Sequence, residues 1–157
     1  MAISAFRVTL GAVVEETLAD GSAVLTDSIN TLESLTFSET SGALGVEGQW
    51  NDYRTLGGSA DSLDLAGGVT NRLGSTKTFI KLKLIDIKAD STNAANITVG
   101  GGSNAVITAL PALTPGAHVT IAWPDAAGLT VTAGTGDLLQ VSGTSGDKYT
   151  VVIGGEV

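Results

Sequence analysis

The clearest alternation of hydrophobic and polar positions lies in the middle of the chain. Residues 79–89 form the longest run of strand-forming residues in the sequence. Residues 90–93 then have the chemistry of a turn, and strand-forming residues resume at Ile97. This order predicts a β-hairpin within residues 77–101.

The apolar residues of this run change parity part of the way along. Ile80, Leu82 and Leu84 take even positions and are expected to face a core, while Lys81 and Lys83 face the other side. Ile85, Ile87 and Ala89 then take odd positions. Successive side chains of a strand point to opposite faces. Either a bulge therefore re-aims the strand near Leu84, or its second half is covered on both faces. Such a strand is predicted to be central in a sheet or to enter an interface.

Short strand patterns alternate with turn signals along the rest of the chain, at about ten residues per strand and turn. Residues 26–33 differ, because they also fit one or two helical turns. The spacing predicts an all-β fold, an antiparallel β-sandwich or jelly roll. Residues 1–49 are expected to form an extended N-terminal arm or strand region, and residues 50–157 the body, of one domain overall. The predicted strands are 5–10, paired with 12–18, and then 23–25, 34–39, 105–110, 119–123, 129–133, 138–141 and 149–153.

Composition restricts how the core is built. Hydrophobic residues make up 43% of the 157 residues but aromatic residues only 4%, so we expect a core of Val, Ile, Leu and Ala. The 21 glycines and only 3 prolines suit many tight turns. Because the chain has no cysteine, stability must come from packing or from association rather than from disulfides.

The net charge of −8 is unevenly distributed, since residues 1–60 contain eight acidic residues and two basic ones. Without a basic block the chain is not expected to bind nucleic acid, because that affinity comes from neutralising phosphates. No stretch approaches the ~18 apolar residues of a membrane span. The first residues also lack the basic region and apolar run of a signal peptide. We therefore expect synthesis in the cytoplasm and no membrane partner.

Catalytic motifs are poorly represented. His118 is the only histidine and no Gly-x-Ser-x-Gly motif is present, so Ser-His-Asp chemistry is not expected. The glycines at 100–102 are followed by another strand pattern, which leaves no helix N-terminus to hold a phosphate. A glycosidase carboxylate pair is compatible with any β fold, but two Trp and two Tyr offer little lining for a sugar cleft. The sequence therefore predicts a protein that is not an enzyme.

Metal sites are limited by the same shortage of ligands. One His and no Cys argue against a transition metal. Calcium would have two carboxylates from Asp61 and Asp64, or two from Asp86 and Asp90, but no Asp-x-Asp-x-Asp-Gly loop is present. The sequence thus predicts no metal, no cofactor and no small-molecule ligand. By elimination it indicates a structural or binding protein.

The least regular part of the sequence, residues 42–68, contains an aromatic and arginine cluster: Trp50, Asp52, Tyr53 and Arg54. One interpretation is a well-packed loop. The other is a contact with a partner, because aromatic and Arg residues on loops are favoured at protein interfaces and sugar sites.

Six segments carry a family resemblance: Trp50-Asn51-Asp52-Tyr53-Arg54, Asp64-Leu65-Ala66-Gly67, 79–89, 93–101, 128–141 and 149–154. Through them residues 50–154 resemble small virion structural proteins of tailed bacteriophages. The resemblance implies a β-sandwich or jelly-roll subunit, often trimeric, that serves as a capsid decoration (cement) protein or as a head-fibre or tail component.

The resemblance also implies partners and a location. The partners would be the major capsid protein or other virion proteins and further copies in a homotrimer, and the location would be the virion. The alternative is a head-fibre or tail-associated module that binds a host receptor or a glycan. The residues expected at a subunit or coat interface are Trp50, Asp52, Tyr53, Arg54, Asp64 and Leu65.

Overall fold

The computed structural model describes residues 6–10, 13–19, 24–30 and 33–157, with side chains from residue 35 onward. Among these residues no helix is long and apolar enough to cross a membrane. The regular elements are the strands β1 (Phe6–Leu10), β2 (Val13–Ala19), β3 (Val24–Asn30), β4 (Glu33–Phe37), β5 (Gly48–Thr55), β6 (Ala60–Asp64), β7 (Val69–Thr70), β8 (Thr76–Lys77), β9 (Lys81–Ala89), β10 (Thr98–Val99), β11 (His118–Ala122), β12 (Leu129–Thr130), β13 (Leu138–Ser142) and β14 (Lys148–Glu156).

Strands β5 to β14 form a body with two main sheets. The larger sheet has the order β11-β9-β14-β5, with β12 also paired to β9, and the smaller has the order β10-β13-β6. Strands β7 and β8 form a separate hairpin. Buried residues from both main sheets belong to one hydrophobic cluster. The predicted all-β antiparallel fold is thus confirmed, and the body is sandwich-like.

The core between the two sheets is mainly aliphatic, as the composition indicates. In the middle of the larger sheet Ile87 pairs with Val151, and both are fully buried. Burying one such side chain contributes about 1.5–3 kcal/mol. The largest core side chains, Trp50, Phe79 and Tyr149, complete the packing around this aliphatic centre.

Strand β9 has a bulge at Lys83. Two successive glycines of β14 pair with Leu84 and Leu82, so Lys83 has no partner across this ladder. After the bulge Ile85 belongs to the core cluster, whereas Leu84 is buried outside it. Of the two explanations for the change of parity, the structure shows the bulge near Leu84, and β9 takes the central position in the sheet that was one of the two expected. The prediction that Ile80 shares the core face is wrong, because this residue is 53% exposed.

The predicted hairpin within residues 77–101 does not form. Strand β10 pairs with β13 of the smaller sheet and not with β9. The carboxylate of Asp90 accepts the backbone N–H and the hydroxyl of Thr92, which makes the turn after β9. Asn93 then exchanges two hydrogen bonds with the backbone of Lys148, at 2.9 and 2.7 Å. The turn is therefore present, but it leads the chain into the other sheet.

The four N-terminal strands form two ladders with a common register. Strand β1 pairs with β4, and β2 pairs with β3, both antiparallel. In every pair, from Phe6 with Phe37 to Ala19 with Val24, the two residue numbers add up to the same value. The β2–β3 ladder therefore has the same register as the β1–β4 ladder. We call β1 to β4 the ribbon.

Three sequence predictions in the first half of the chain are corrected. The helical interpretation of residues 26–33 is wrong, because β3 runs through most of this segment. The pairing of 5–10 with 12–18 is also wrong, since β1 and β2 each pair with a later strand. Residues 42–68 are more regular than predicted, because they contain β5 and β6.

The bulge requires a residue without a Cβ at position 155 of β14. In Gly155→Ala the added Cβ would lie 2.1 Å from the backbone oxygen of Lys81, so we expect a loss of about 2–3 kcal/mol in the free energy of unfolding. The matched control is Gly154→Ala, whose Cβ would meet a side-chain carbon of Val46 at 3.3 Å, where a small shift relieves the contact. Urea denaturation measures both variants. Equal stability of the two would contradict the close backbone approach.

Candidate interaction surface

Two of the predicted interface residues are core residues. Trp50 is 1% exposed and lies opposite Ile153 of β14, inside the core cluster. Leu65, which follows β6, is fully buried in the same cluster. Neither side chain offers surface to a partner. For Trp50 the structure selects the packed interpretation, although in a strand and not in a loop.

A charged network lies next to Trp50 on the same face of β5. The Arg54 Nε donates to Asp61 Oδ2 at 2.6 Å, and Arg54 Nη1 lies 3.2 Å from Asp52 Oδ2. The Tyr149 hydroxyl donates to the same oxygen of Asp61 at 2.8 Å. The Asp52 side chain is only 5% exposed. Because these groups satisfy one another, the network fastens β5, β6 and β14 together.

The ionisation of the network follows from these bonds. Burial alone would raise the pKa of Asp61, but hydrogen bonds from Arg54 and Tyr149 outweigh it and hold that pKa below its ordinary value. The bond to Asp61 raises the pKa of Arg54 further above its usual range. Burial, and then the bond to Asp61, raises the pKa of Tyr149. Near neutral pH the three groups are therefore an ion pair with a neutral phenol.

Tyr53 lies on the opposite, outer face of β5 and is half-buried. Its hydroxyl donates to Asp90 Oδ2 at 3.0 Å, and the guanidinium carbon of Arg72 lies 5.6 Å from the ring centre. The backbone N–H of Arg72 donates to Asp52 Oδ1 at 3.3 Å. Burial, followed by the contact with Asp90, raises the pKa of Tyr53. Hydrogen bonds from Thr92 are the main cause that lowers the pKa of Asp90.

The turn of the β7–β8 hairpin lies beside β5, the edge strand of the larger sheet. The Asn71 Oδ1 accepts the backbone N–H groups of Leu73 and Ser75, at 3.1 and 3.0 Å, and its Nδ2 donates to the carbonyl of Asn51 at 3.2 Å. Leu73 is held at the tip of the turn and is 88% exposed. A depression of about 300 Å³ lies beside the turn, and we call it the Tyr53 depression. It is lined by Asn51, Asp52, Tyr53, Asn71, Arg72, Leu73 and Thr150.

Asp64, the remaining predicted interface residue, has a local role in its turn. It is exposed, and its Oδ1 accepts the backbone N–H of Gly67 at 2.6 Å. It pairs with Leu138 at the end of β6, on the smaller sheet. The structure therefore does not bring Asp64 together with Tyr53.

Sequence reasoning did not select Arg72 and Leu73. A signal was available, because Leu73 is an apolar residue in an Asn-Arg-Leu-Gly turn, where polar residues are usual. The approach of Arg72 to Tyr53 could not be read from the sequence, since it depends on how the hairpin folds back onto β5.

The carboxylates considered for calcium make other contacts in the described residues. Asp61 is bound to Arg54, Asp86 accepts the hydroxyl of Thr120, and Asp90 accepts bonds from its own turn. Within the described ranges no group of three or more His, Asp or Glu side chains is placed to hold a metal ion. His118 is exposed at the start of β11, on the edge of the larger sheet.

A second ionic cluster, not predicted from the sequence, lies at the bulge. Lys83 is fully buried, and its Nζ donates to the carbonyl oxygens of Asp125 and Ala126 at 2.5 and 3.1 Å. Glu156 Oε1 lies 3.5 Å from this Nζ, and Glu156 Oε2 lies 2.9 Å from Lys81 Nζ. The bond from Lys81 lowers the pKa of Glu156. The buried charge of Lys83 is thus paired and hydrogen-bonded, which offsets the cost of removing an ammonium group from water.

Trp50→Ala is expected to lower the free energy of unfolding by about 3–5 kcal/mol, because it empties a buried position. Trp50→Phe is the control, since it keeps an aromatic ring and removes an indole N–H that has no hydrogen-bond partner among the described residues. We expect this control to cost far less, as measured by urea denaturation. If Trp50→Ala were as stable as the wild type, the residue would not be part of the core.

The Asp61 network predicts a specific loss of stability in acid. A carboxyl group whose folded pKa is lowered stabilises the fold above its unfolded pKa of about 3.9, and that contribution is lost as the pH falls through the folded pKa. Asp61→Asn should therefore cost about 1–3 kcal/mol at pH 7. The difference from the wild type should shrink as the pH is lowered from about 5 to 2. Glu39→Gln, at an exposed position, is the control; a constant difference for Asp61→Asn across this range would rule out the ionic role.

Comparison with known proteins gives no match: no family model, no curated protein and no solved structure matches the chain.

Proposed function

We propose that this chain is a non-enzymatic structural protein of a virus particle, namely a capsid decoration protein that binds the outer coat surface and stabilises the shell. The virion assignment is supported by the resemblance of residues 50–154 to small virion structural proteins of tailed bacteriophages. The decoration role is supported by the ribbon, which is the observation that carries the proposal.

The ribbon has the features of an arm that needs a partner. Its strands pair with one another and, within the described ranges, with no strand of the body. A two-stranded hairpin by itself is only marginally stable in water. Within the described ranges no third strand is paired to either ladder, so each ladder has room for a partner strand. Strands β1 and β2 have five and seven residues, roughly 16 and 23 Å as extended chain, and each is long enough to pair with a strand of a neighbouring protein.

The base of the ribbon is fixed to the body. Phe37, at the end of β4, is fully buried. In the following segment the backbone N–H groups of Leu44 and Glu47 donate to Pro124 and Gly155, at 2.8 and 3.0 Å. Pro124 and Gly155 are sequence neighbours of Asp125 and Glu156, which compensate the charge of Lys83. An arm attached in this way transmits a contact at the ribbon into the body, which a reinforcing protein requires.

The remaining parts of the proposal concern partners. In the decoration role the major capsid protein is the first partner, and a homotrimer on the shell is the proposed assembly. The negative net charge makes free subunits repel one another, which favours solubility before docking. The proposal includes neither nucleic acid nor membrane contact, and its location is the virion.

The second candidate is a head-fibre or tail-associated module that binds a host glycan or receptor. The Tyr53 depression favours it, because it combines an aromatic ring with amide and hydroxyl groups. However, Arg72 lies over the Tyr53 ring, so one face of the ring is not free to stack on a sugar.

The experiment is to measure the copy number of this chain in gradient-purified virus particles from its source, by quantitative mass spectrometry against the major coat protein. A decoration protein should give a ratio near one, or one per few coat subunits. A few copies per particle would move the assignment to a fibre or tail component. Complete absence from particles would refute the virion proposal.

A further inference from the structure

Strand β11 is an open edge of the larger sheet. It stands last in the order of that sheet, and within the part of the chain that the structure describes only β9 pairs with it. Just after β11 the N–H of Trp123 donates to the carbonyl of Lys83 at 2.8 Å, which fixes the phase of this ladder. Hydrogen-bonded and non-hydrogen-bonded pairs alternate in an antiparallel ladder. The backbone N–H and C=O groups of His118, Thr120 and Ala122 therefore point away from β9, toward the free edge.

The other strand edges of the body are covered, short or charged. Beside β5 the Nδ2 of Asn71 donates to the carbonyl of Asn51 at 3.2 Å. Strands β7, β8, β10 and β12 have only two residues each, and β6 ends with the acidic residue Asp64. Strand β11 has five residues, His-Val-Thr-Ile-Ala, with no Lys, Arg, Asp, Glu or Pro among them. It thus lacks the residues that usually protect an edge strand from pairing.

The side chains of β11 that face the core are only half covered. Val119 and Ile121 lie opposite Ile87 and Ile85 of β9, so they share the core face with them. Ile85 and Ile87 are fully buried, whereas Val119 and Ile121 are half-buried. A strand added beside β11 would cover the apolar surface that the sandwich leaves open there.

We infer that β11 is an interface between two copies of this chain, in which the two β11 strands pair antiparallel about a two-fold axis at Thr120. In this register His118 of one copy lies opposite Ala122 of the other, and Thr120 lies opposite Thr120. The outward N–H and C=O groups of the two edges then meet as hydrogen-bonded pairs. A two-fold contact of this kind is closed. The homotrimer of the proposed function would use a different surface, so the inference does not depend on it.

The side chains of β11 suit this symmetric pairing. On the core face Val119 of one copy would meet Ile121 of the other, and pairs of β-branched residues are favourable across strands. On the outer face a threonine would meet a threonine, so no like charges are opposed. Asp86, which lies opposite Thr120 on β9, accepts the hydroxyl of Thr120 within its own copy. The net charge of −8 opposes association in general, but β11 adds no carboxylate to the contact.

The test is sedimentation velocity of the full-length chain over a range of concentrations, for the wild type and for Thr120→Lys. We expect reversible dimer formation by the wild type. Thr120→Lys should weaken it at least about tenfold, because the two introduced ammonium groups face each other at the axis. The control is Thr150→Lys, the same change at an exposed position on the same outer face but in the central strand β14. It should stay within about twofold of the wild type, since a charge away from the contact is screened.

Amide exchange of the wild type, followed by NMR, provides a reading that needs no variant. The N–H groups of His118, Thr120 and Ala122 should be better protected at high than at low protein concentration, because they are hydrogen-bonded only in the dimer.

Three results would overturn the inference. The first is a wild type that stays monomeric at every concentration. The second is self-association that Thr120→Lys leaves unchanged, which would assign it to another surface, such as that of a trimer. The third is protection of the three amides only after coat shells are added, which would assign the edge to a strand of the coat. None of these results changes the copy number in virus particles, which tests the proposed function independently.

Discussion

The antiparallel pairing of β9 with β14 is the contact on which the rest of the body depends. Each strand is nine residues long, and the two lie side by side in the larger sheet. Strands β11 and β12 pair with β9, and β5 pairs with β14, so every strand of this sheet is placed by one member of the pair. Their inward residues, such as Ile87 and Val151, also form the floor on which the smaller sheet packs. The bulge within this pairing requires glycine at 155, because only a residue without Cβ lets the backbone of Lys81 approach so closely.

The same bulge connects the body to the ribbon. Lys83 is the extra residue of the bulge, and its charged side chain is fully buried. The carbonyl groups of the 125–126 loop and the carboxylate of Glu156 then compensate that charge. The neighbouring backbone of this loop and of β14 accepts hydrogen bonds from residues 38–47. Removing the buried charge would therefore be felt at the base of the ribbon as well as in the sheet.

Local structure could be predicted from the sequence, but the pairing of strands that lie far apart in the chain could not. Alternation and turn chemistry predicted most of β9 and the turn at 90–93 and offered the bulge as one of two alternatives, because these features depend on neighbouring residues. They could not predict that β10 joins β13, since strand pairing across the fold is not encoded in a local period. Trp50 was ambiguous for the same reason. A tryptophan side chain suits a protein interface and a hydrophobic core equally well, and only the pairing of β5 with β14 places it in the core. Arg72 and Lys83 acquire their contacts through such long-range placement.

Body and ribbon differ in how completely their strands are paired. In the body, strand pairing is reinforced by ion pairs: Arg54 with Asp61, and Lys81 and Lys83 with Glu156. In the ribbon each strand pairs with only one other strand, and within the described ranges no third strand joins either ladder. A partner strand would therefore add backbone hydrogen bonds to the ribbon more readily than to the centre of the larger sheet, where β9 and β14 are paired on both sides. In the proposed role the driving force for docking is therefore concentrated in the ribbon, and the body supplies a rigid base for it.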